Sequence, residues 1–256
     1  MRAPDAVNAP STARPLGLRF RLGLKRVFDL LVASVAVVIL LPVLAVISLL
    51  ILLSSGRPIL FRQVRVGRDG EEFTMLKYRT MVVDAEARLD EVSLGNLRSG
   101  PLFKRNDDPR VTPIGRFLRR SSLDELPQLF NVIGGSMSLV GPRPALPREV
   151  ESFPPELRAR ETFPQGITGL WQIQNRTDAH FIKYIESDLA YVENWSLHRD
   201  IWILLCTPFA VVKHALRRGE VQPEAAAIID FVPHDAPSSS AAADRTDGSV
   251  VSHEIA

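Results

Sequence analysis

Cysteine is almost absent from this sequence: Cys206 is the only one among 256 residues. No internal disulfide can form, which fits a reducing, cytoplasmic context. A lone thiol of this kind is ordinarily an inert buried side chain. An excess of charge of one sign is also lacking, the formal net charge being +2. So small an excess names no partner, and no nucleic acid is expected. Internal repeats are missing, which excludes a repeat architecture. There is no Walker loop, dinucleotide-binding fingerprint, zinc-ligand spacing or serine-hydrolase elbow. The Asp-x-Asp pattern of metal-dependent glycosyltransferases is absent from the body of the chain. Asp107-Asp108 is adjacent rather than spaced, precedes Pro109, and reads as a turn.

What is present is hydrophobicity concentrated in one early block. Leu30 to Leu53 is apolar throughout, with only Ser34 and Ser48 interrupting. A bilayer core takes roughly 20 such residues. The run is too long for a signal peptide, and no small-residue cleavage site follows it. A soluble core helix is seldom apolar on every face over such a length. Arg19, Arg21, Lys25 and Arg26 precede the run, and Arg57, Arg62, Arg65 and Arg68 follow it. Positive residues stay on the cytoplasmic side of a membrane, so a simple span would strand one cluster. Pro42 lies mid-run, where it removes a backbone hydrogen bond and bends the helix. A re-entrant hairpin, broken at Pro42 and returning to the same face, is therefore expected over residues 19–56. Residues 1–18 and 220–256, rich in Ala, Pro and Ser, read as disordered tails.

The body, residues 57–219, mixes short elements. Ile59–Phe61 and Phe73–Leu76 read as strands around a turn at Gly67–Gly70. Helices are expected at Met81–Leu94, at Ile114–Arg120 after Pro113, at Leu126–Val132 before Gly134-Gly135, and at Ala179–Val192. Ile201–Val212 is apolar, too short to span, and interrupted by Pro208. Either it lies in the membrane interface, with Lys213, His214, Arg217 and Arg218 toward head groups, or it is a core helix.

Cations gather around one acidic pair. Lys104, Arg105, Arg110, Arg116, Arg119 and Arg120 precede Asp124-Glu125, and Arg143 follows in Gly141-Pro142-Arg143-Pro144. Lys77-Tyr78-Arg79-Thr80 adjoins a strand. Guanidinium and ammonium groups suit phosphate oxygens. A carboxylate among them can attack phosphorus or hold a divalent ion. A second reading is a capping box, with Ser122 as N-cap and Glu125 three residues on. Pro127 counts against it, because the residue before a proline avoids helical angles. A helix starting at Pro127 would leave Asp124 and Glu125 just outside its N-terminus, where anions are stabilised.

Four motifs then carry a resemblance. Lys77-Tyr78-Arg79-Thr80-Met81, Asp108-Pro109-Arg110-Val111-Thr112-Pro113-Ile114-Gly115, Ser121 to Gln128, and Met137 to Pro144 resemble the bacterial sugar transferases. These are monotopic phosphoglycosyl transferases that load polyprenyl phosphate. Gly166 to Gln172 and Asn194-Trp195-Ser196-Leu197 continue the match, which runs from about Lys25 to Leu216. The resemblance implies an α+β fold: a membrane-inserted re-entrant helix hairpin, and a small, mainly helical catalytic domain with a β-hairpin and interfacial helices. It implies that Asp124 attacks the sugar-bearing phosphate of a UDP-sugar, that Glu125 assists the incoming lipid phosphate, and that Mg²⁺ is held partly by Asp124. It implies phosphate or nucleotide contacts from Lys77, Arg79, Arg119, Arg143 and Arg176. The partners implied are a UDP-sugar, undecaprenyl or another polyprenyl phosphate and membrane lipid, with a homo-oligomer open. The catalytic domain is expected on the cytoplasmic face of a bacterial inner membrane.

The chain departs from the family pattern at three places. Leu41 stands where small members often have Ser before the proline, Gln165 stands within Pro164-Gln165-Gly166, and His198 stands where Trp is usual. Larger members carry an extra multi-span N-terminal domain, and the chain resembles the compact form. Two other readings stay open: a direct glycosyltransferase that releases UDP, and a non-catalytic scaffold of polysaccharide assembly.

Overall fold

The computed structural model describes residues 16–88, 108–151, 153, 155–174 and 181–216. Helices dominate, and the strands form two small pairs. The first element, α1 (Leu16–Ser55), is a 40-residue helix with Pro42 inside it. It begins within the segment read as a tail. At 1.5 Å per residue such a helix measures about 60 Å along its path, twice a bilayer core of about 30 Å.

One stripe of α1 faces the rest of the protein. Lys25, Asp29, Ala33, Leu44, Ile47 and Ile51 are buried, at spacings of mostly three and four residues. The other faces expose Leu31, Val35, Val38, Leu41, Val46 and Leu53. Both ends of the helix are tied to the body. Near its start, Lys25 Nζ donates to Asp200 Oδ2 at 2.6 Å, and Ser138 Oγ donates to Asp29 Oδ2 at 2.6 Å. Past Pro42, the Tyr78 hydroxyl donates to the Leu44 carbonyl at 2.9 Å, and at the end Arg79 Nη2 donates to the Ser55 carbonyl.

A β-hairpin follows, β1 (Leu60–Val66) antiparallel to β2 (Glu72–Tyr78). Its turn holds Asp69 at φ 59° and Gly70 at φ 80°. The observed strands are longer than the expected Ile59–Phe61 and Phe73–Leu76, because residues such as Gln63, Arg65 and Lys77 also join the ladder. The helix expected at Met81–Leu94 does not start where it should. Met81 bridges Val111 and the Val82 amide donates to Arg110 O, so the chain is tied crosswise; residues 83–88 form turns. The remainder of that stretch lies outside the described residues.

Three elements frame the acidic pair. Helix α2 (Pro113–Ser121) is N-capped by Thr112, whose side chain accepts from the Gly115 amide. A 3₁₀ turn spans Leu123–Glu125, and α3 is Gln128–Gly134, closed by Gly135 at φ 89°. Strand β3 (Ser138–Val140) pairs in parallel with β4 (Gly166–Thr168), a sheet the sequence did not announce. Between them lie α4 (Pro147–Glu151) and a 3₁₀ segment, Pro155–Thr162. Gln165, out of place in the family pattern, is buried and donates to the carbonyls of Arg160 and Phe163, so it shapes this loop.

Three helices complete the described residues: α5 (Leu170–Gln174), α6 (Phe181–Glu193) and α7 (Leu197–Leu216). Pro208 does not end α7, contrary to expectation. The proline removes one backbone bond, while Ile203 is fully buried and Thr207 Oγ1 meets Thr168 Oγ1 at 2.8 Å, so tertiary contacts hold the helix through the gap. The opposite face of α7 exposes Trp202, Leu205, Phe209 and Val212. The side chains of Arg217 and Arg218 lie outside the described residues.

Candidate active site

The site begins with strand register. In the hairpin Phe61 lies opposite Lys77, Gln63 opposite Met75, and Arg65 opposite Phe73. Directly opposed residues share a face, as do alternate residues on one strand. Gln63, Arg65 and Lys77 therefore project from one side of the hairpin, the less exposed one.

The Asp124-Glu125 turn sits against the Lys77 end of that face. Ser122 adopts a left-handed conformation, φ 59°, and caps the C-terminus of α2. Its side chain makes no helix-capping hydrogen bond, so the capping-box arrangement is not formed. Pro127 instead occupies the position before α3, and Glu125 turns to Lys77, with Nζ to Oε1 at 3.0 Å. Asp124 is half-buried. Desolvation and then repulsion from Glu125 push its carboxyl up to about 6, against the attraction of Lys77 and Arg119.

Arg119 reaches the same place from α2. Its Nε donates to Thr80 Oγ1 at 2.8 Å. The two elements approach closely because residue 115 is glycine: a Cβ there would lie 2.0 Å from the Thr80 carbonyl oxygen. Lys77, Arg119, Asp124 and Glu125 thus form one cluster of alternating charge.

Arg143 occupies the other end. Its guanidinium lies over Trp171 at 5.3 Å and near the Tyr184 ring at 5.9 Å. Its backbone amide donates to Asp188 Oδ2 at 3.2 Å. The fully buried Arg160 donates from Nη2 to Asp188, to the Tyr184 hydroxyl and to the Arg143 carbonyl. Arg65 joins the two ends. It is buried, donates to the Pro144 carbonyl at 3.0 Å and lies 3.8 Å from Glu149. Burial and the nearby Arg143 lower its guanidinium to about 10, while Glu149, Tyr184 and Glu125 raise it.

Other expected contacts lie elsewhere. Arg79 points to the end of α1, where Nη2 donates to Ser55 O at 2.5 Å and to Gly56 O at 2.9 Å. Its Nε and Nη1 are buried without a partner among the described residues. Arg176, Lys104 and Arg105 lie outside the described residues. Asp108 accepts from the Arg110 amide at 3.0 Å and pairs with its guanidinium, the turn that its sequence indicated.

Sequence reasoning missed Arg65, Gln63, Arg160 and Asp188 as parts of the site. Arg65 counted only as a membrane-flanking charge. Its alternate spacing with Gln63, on a strand paired to that of Lys77, was the available signal.

Among the described residues, no group of three or more His, Cys, Asp and Glu gathers. A caged metal site is thus not formed by them. Mg²⁺ needs only one or two carboxylates when phosphates and water supply its other ligands. The crowded Asp124-Glu125 pair fits that requirement, since a cation would relieve the repulsion that raises Asp124.

Comparison with known proteins identifies the family. Residues 20–214 match the family model described as bacterial sugar transferase. The chain is 43% identical over 198 residues to a UDP-galactose-lipid carrier transferase of Erwinia amylovora, covering 74% of this chain and 40% of that protein. It is 40% identical over 199 residues to the exopolysaccharide production protein ExoY of Sinorhizobium fredii, covering 76% and 87%. It is 39% identical over 203 residues to an undecaprenyl-phosphate galactose phosphotransferase of Salmonella typhimurium, covering 76% and 41%. The chain thus spans well under half the length of the first and third of these relatives, and most of the second.

Proposed function

The chain belongs to the bacterial sugar transferase family, and from that premise we propose that it moves a sugar 1-phosphate from a UDP-sugar to a polyprenyl phosphate. The observation that carries this reading is the meeting of Asp124, Glu125, Lys77 and Arg119 at one turn. The similarity to carrier-lipid transferases supplies the substrate class.

The chemistry proceeds in two displacements. A carboxylate oxygen of Asp124 forms a bond to the sugar-bearing phosphorus, and the bond from that phosphorus to the bridging oxygen breaks. UMP leaves with the bond's electron pair, and the phosphosugar remains on Asp124 as an acyl phosphate. A phosphate oxygen of the lipid then attacks the same phosphorus, and the Asp124 carboxylate departs. Lys77 and Arg119 offset charge on the transferring phosphoryl group, the main task in such reactions. Glu125, held by Lys77, orients the incoming lipid phosphate. Arg143, stacked on Trp171, takes the nucleotide end. Asp124, with Glu125 beside it, would hold Mg²⁺, which supplies further neutralisation of the diphosphate.

Membrane placement follows from α1. Its outward faces are apolar, while both ends bond to one body. This supports an insertion that enters and leaves by one face, with the site at the cytoplasmic membrane surface. Exposed apolar residues of α7 extend the lipid-facing surface.

The test is product analysis with undecaprenyl phosphate and a panel of UDP-sugars. UMP and lipid-linked phosphosugar are expected. UDP without UMP would establish direct glycosyl transfer instead. Asp124→Asn should abolish both turnover and the covalent adduct, and full activity in that variant would remove Asp124 from its role.

A further inference from the structure

Gln63 has an unusual setting on the inner face of the hairpin. Its side-chain oxygen accepts twice from one guanidinium, from Arg65 Nη2 at 2.6 Å and Nε at 3.1 Å. An arginine has only donors, so the amide group of Gln63 can be oriented in just one way, with oxygen toward Arg65. The amide nitrogen then faces away from Arg65, and it donates to no group among the described residues. Arg65 is itself fixed, being buried and bonded to the Pro144 carbonyl beside Arg143. The carboxamide is therefore a donor held in place by a rigid support.

Its position matters as much as its orientation. Along the strand face, Gln63 stands between the row of Lys77 and the row of Arg65, each step being roughly 7 Å. Lys77 belongs to the Asp124-Glu125 end and Arg65 to the Arg143 end. A donor midway between two groups of phosphate-binding cations is placed for the oxygens that link nucleotide to sugar. Gln63 is half-buried, so it remains reachable.

Building on the reading above, we propose that Gln63 is a substrate-binding residue whose amide nitrogen donates to a diphosphate oxygen of the UDP-sugar, with Arg65 as the positioning residue that aims it. Neither residue carries a proton in the reaction. The pair acts on binding of the first substrate.

Gln63→Glu separates this role from a purely structural one. A glutamate keeps the oxygen that Arg65 grips and strengthens that contact, so a supporting role survives. The donor is lost, and a negative charge faces the diphosphate. With full-length protein in detergent or nanodiscs, the expected result is an unchanged or raised melting temperature. KM for the UDP-sugar should rise about 10- to 100-fold, the loss of one hydrogen bond to a charged group. The rise should be equal for UDP-glucose and UDP-galactose. Wild-type KM in a folded Gln63→Glu variant overturns the proposal, and a loss confined to one sugar overturns the diphosphate assignment. Should Gln63→Glu melt early, Gln63→Met removes the donor without added charge, though also the oxygen that Arg65 grips, and wild-type KM in a folded Gln63→Met variant equally overturns the proposal. If both variants fail to fold, Gln63 serves only to hold Arg65, and the proposal fails. The wild-type control keeps the two readings apart: absence of UMP release there refutes the proposed reaction, while the effect on Gln63 is still read from UDP-sugar binding.

Discussion

Asp124, the proposed nucleophile, shows how burial and a neighbouring charge perturb a single carboxyl. Its ordinary value of 3.8 is raised to about 6 by desolvation and by Glu125. The ionised form is the competent one for the proposed attack, and in the metal-free protein the carboxyl should titrate near pH 6, with added Mg²⁺ moving the midpoint down. A metal-free midpoint near pH 4 would contradict the burial of this group. The same shift bears on stability. Between pH 4 and 6 the folded state holds more protons at Asp124 than the unfolded state does, so stability declines as pH rises through that window. Above about pH 6 the full cost is present. Asp124→Asn removes it, and the inactive variant should be more stable than the parent at pH 8 by about 1 kcal/mol, after allowance for solvent screening. That gain should vanish in denaturation measured at pH 4. Gly115 illustrates the steric counterpart. A Cβ 2.0 Å from the Thr80 carbonyl forces α2 away from the segment after β2, so Gly115→Ala should cost about 2 kcal/mol, with Arg119 displaced and activity lost alongside.

Among the elements, α1 carries the most unusual chemistry. Lys25 lies between two carboxylates, 2.6 Å from Asp200 and 3.6 Å from Asp29, and all three are buried. Asp200 also accepts from the Tyr191 hydroxyl at 2.8 Å and the Trp195 indole at 3.2 Å. The network pins α1 to α6 and α7. Removing one partner leaves a buried charge uncompensated, and Asp200→Ala should cost about 3 kcal/mol or more. Thermal melts in detergent would show the loss, and a shift of a few tenths would mean the network carries no weight. The two interior prolines, Pro42 and Pro208, have a common lesson. Each removes a hydrogen bond, yet each lies inside a single assigned helix because neighbouring contacts hold the flanking turns. For α1 these contacts include the Ser48 and Tyr78 hydroxyls on the Leu44 carbonyl.

At the scale of the whole molecule, the exposed apolar residues of α1 and α7 bear on the proposed membrane placement. Lys25 and Arg79 bind opposite ends of α1 into the same body, so the ends should share one side of the membrane. Single cysteines at Arg19 and Arg57, in a Cys206→Ser background, should be labelled from the cytoplasmic side only. Labelling of either from the periplasm would mean a true span. Extraction should require detergent and resist alkaline carbonate.

Pattern determined some of this and contact the rest. The apolar run, its basic flanks, the hairpin, α2 and α3 were legible because each rests on local rules: periodicity, turn residues and proline positions. The Asp124-Glu125 pair was visible as a motif, but the choice between a helix cap and a reactive pair was not. That choice depended on Lys77, which lies 48 positions away in sequence and reaches Glu125 only through the folded hairpin. Gln63, Arg65, Arg160 and Asp188 escaped notice for the same reason, since burial and cross-chain hydrogen bonds give them their meaning. The β3–β4 pair escaped too, because a three-residue parallel strand has no periodicity to read. Arg79, read as a phosphate ligand, instead bonds to the carbonyls that end α1. Its charge was plain in the sequence; the direction it points was set only when the segment after β2 met the end of α1.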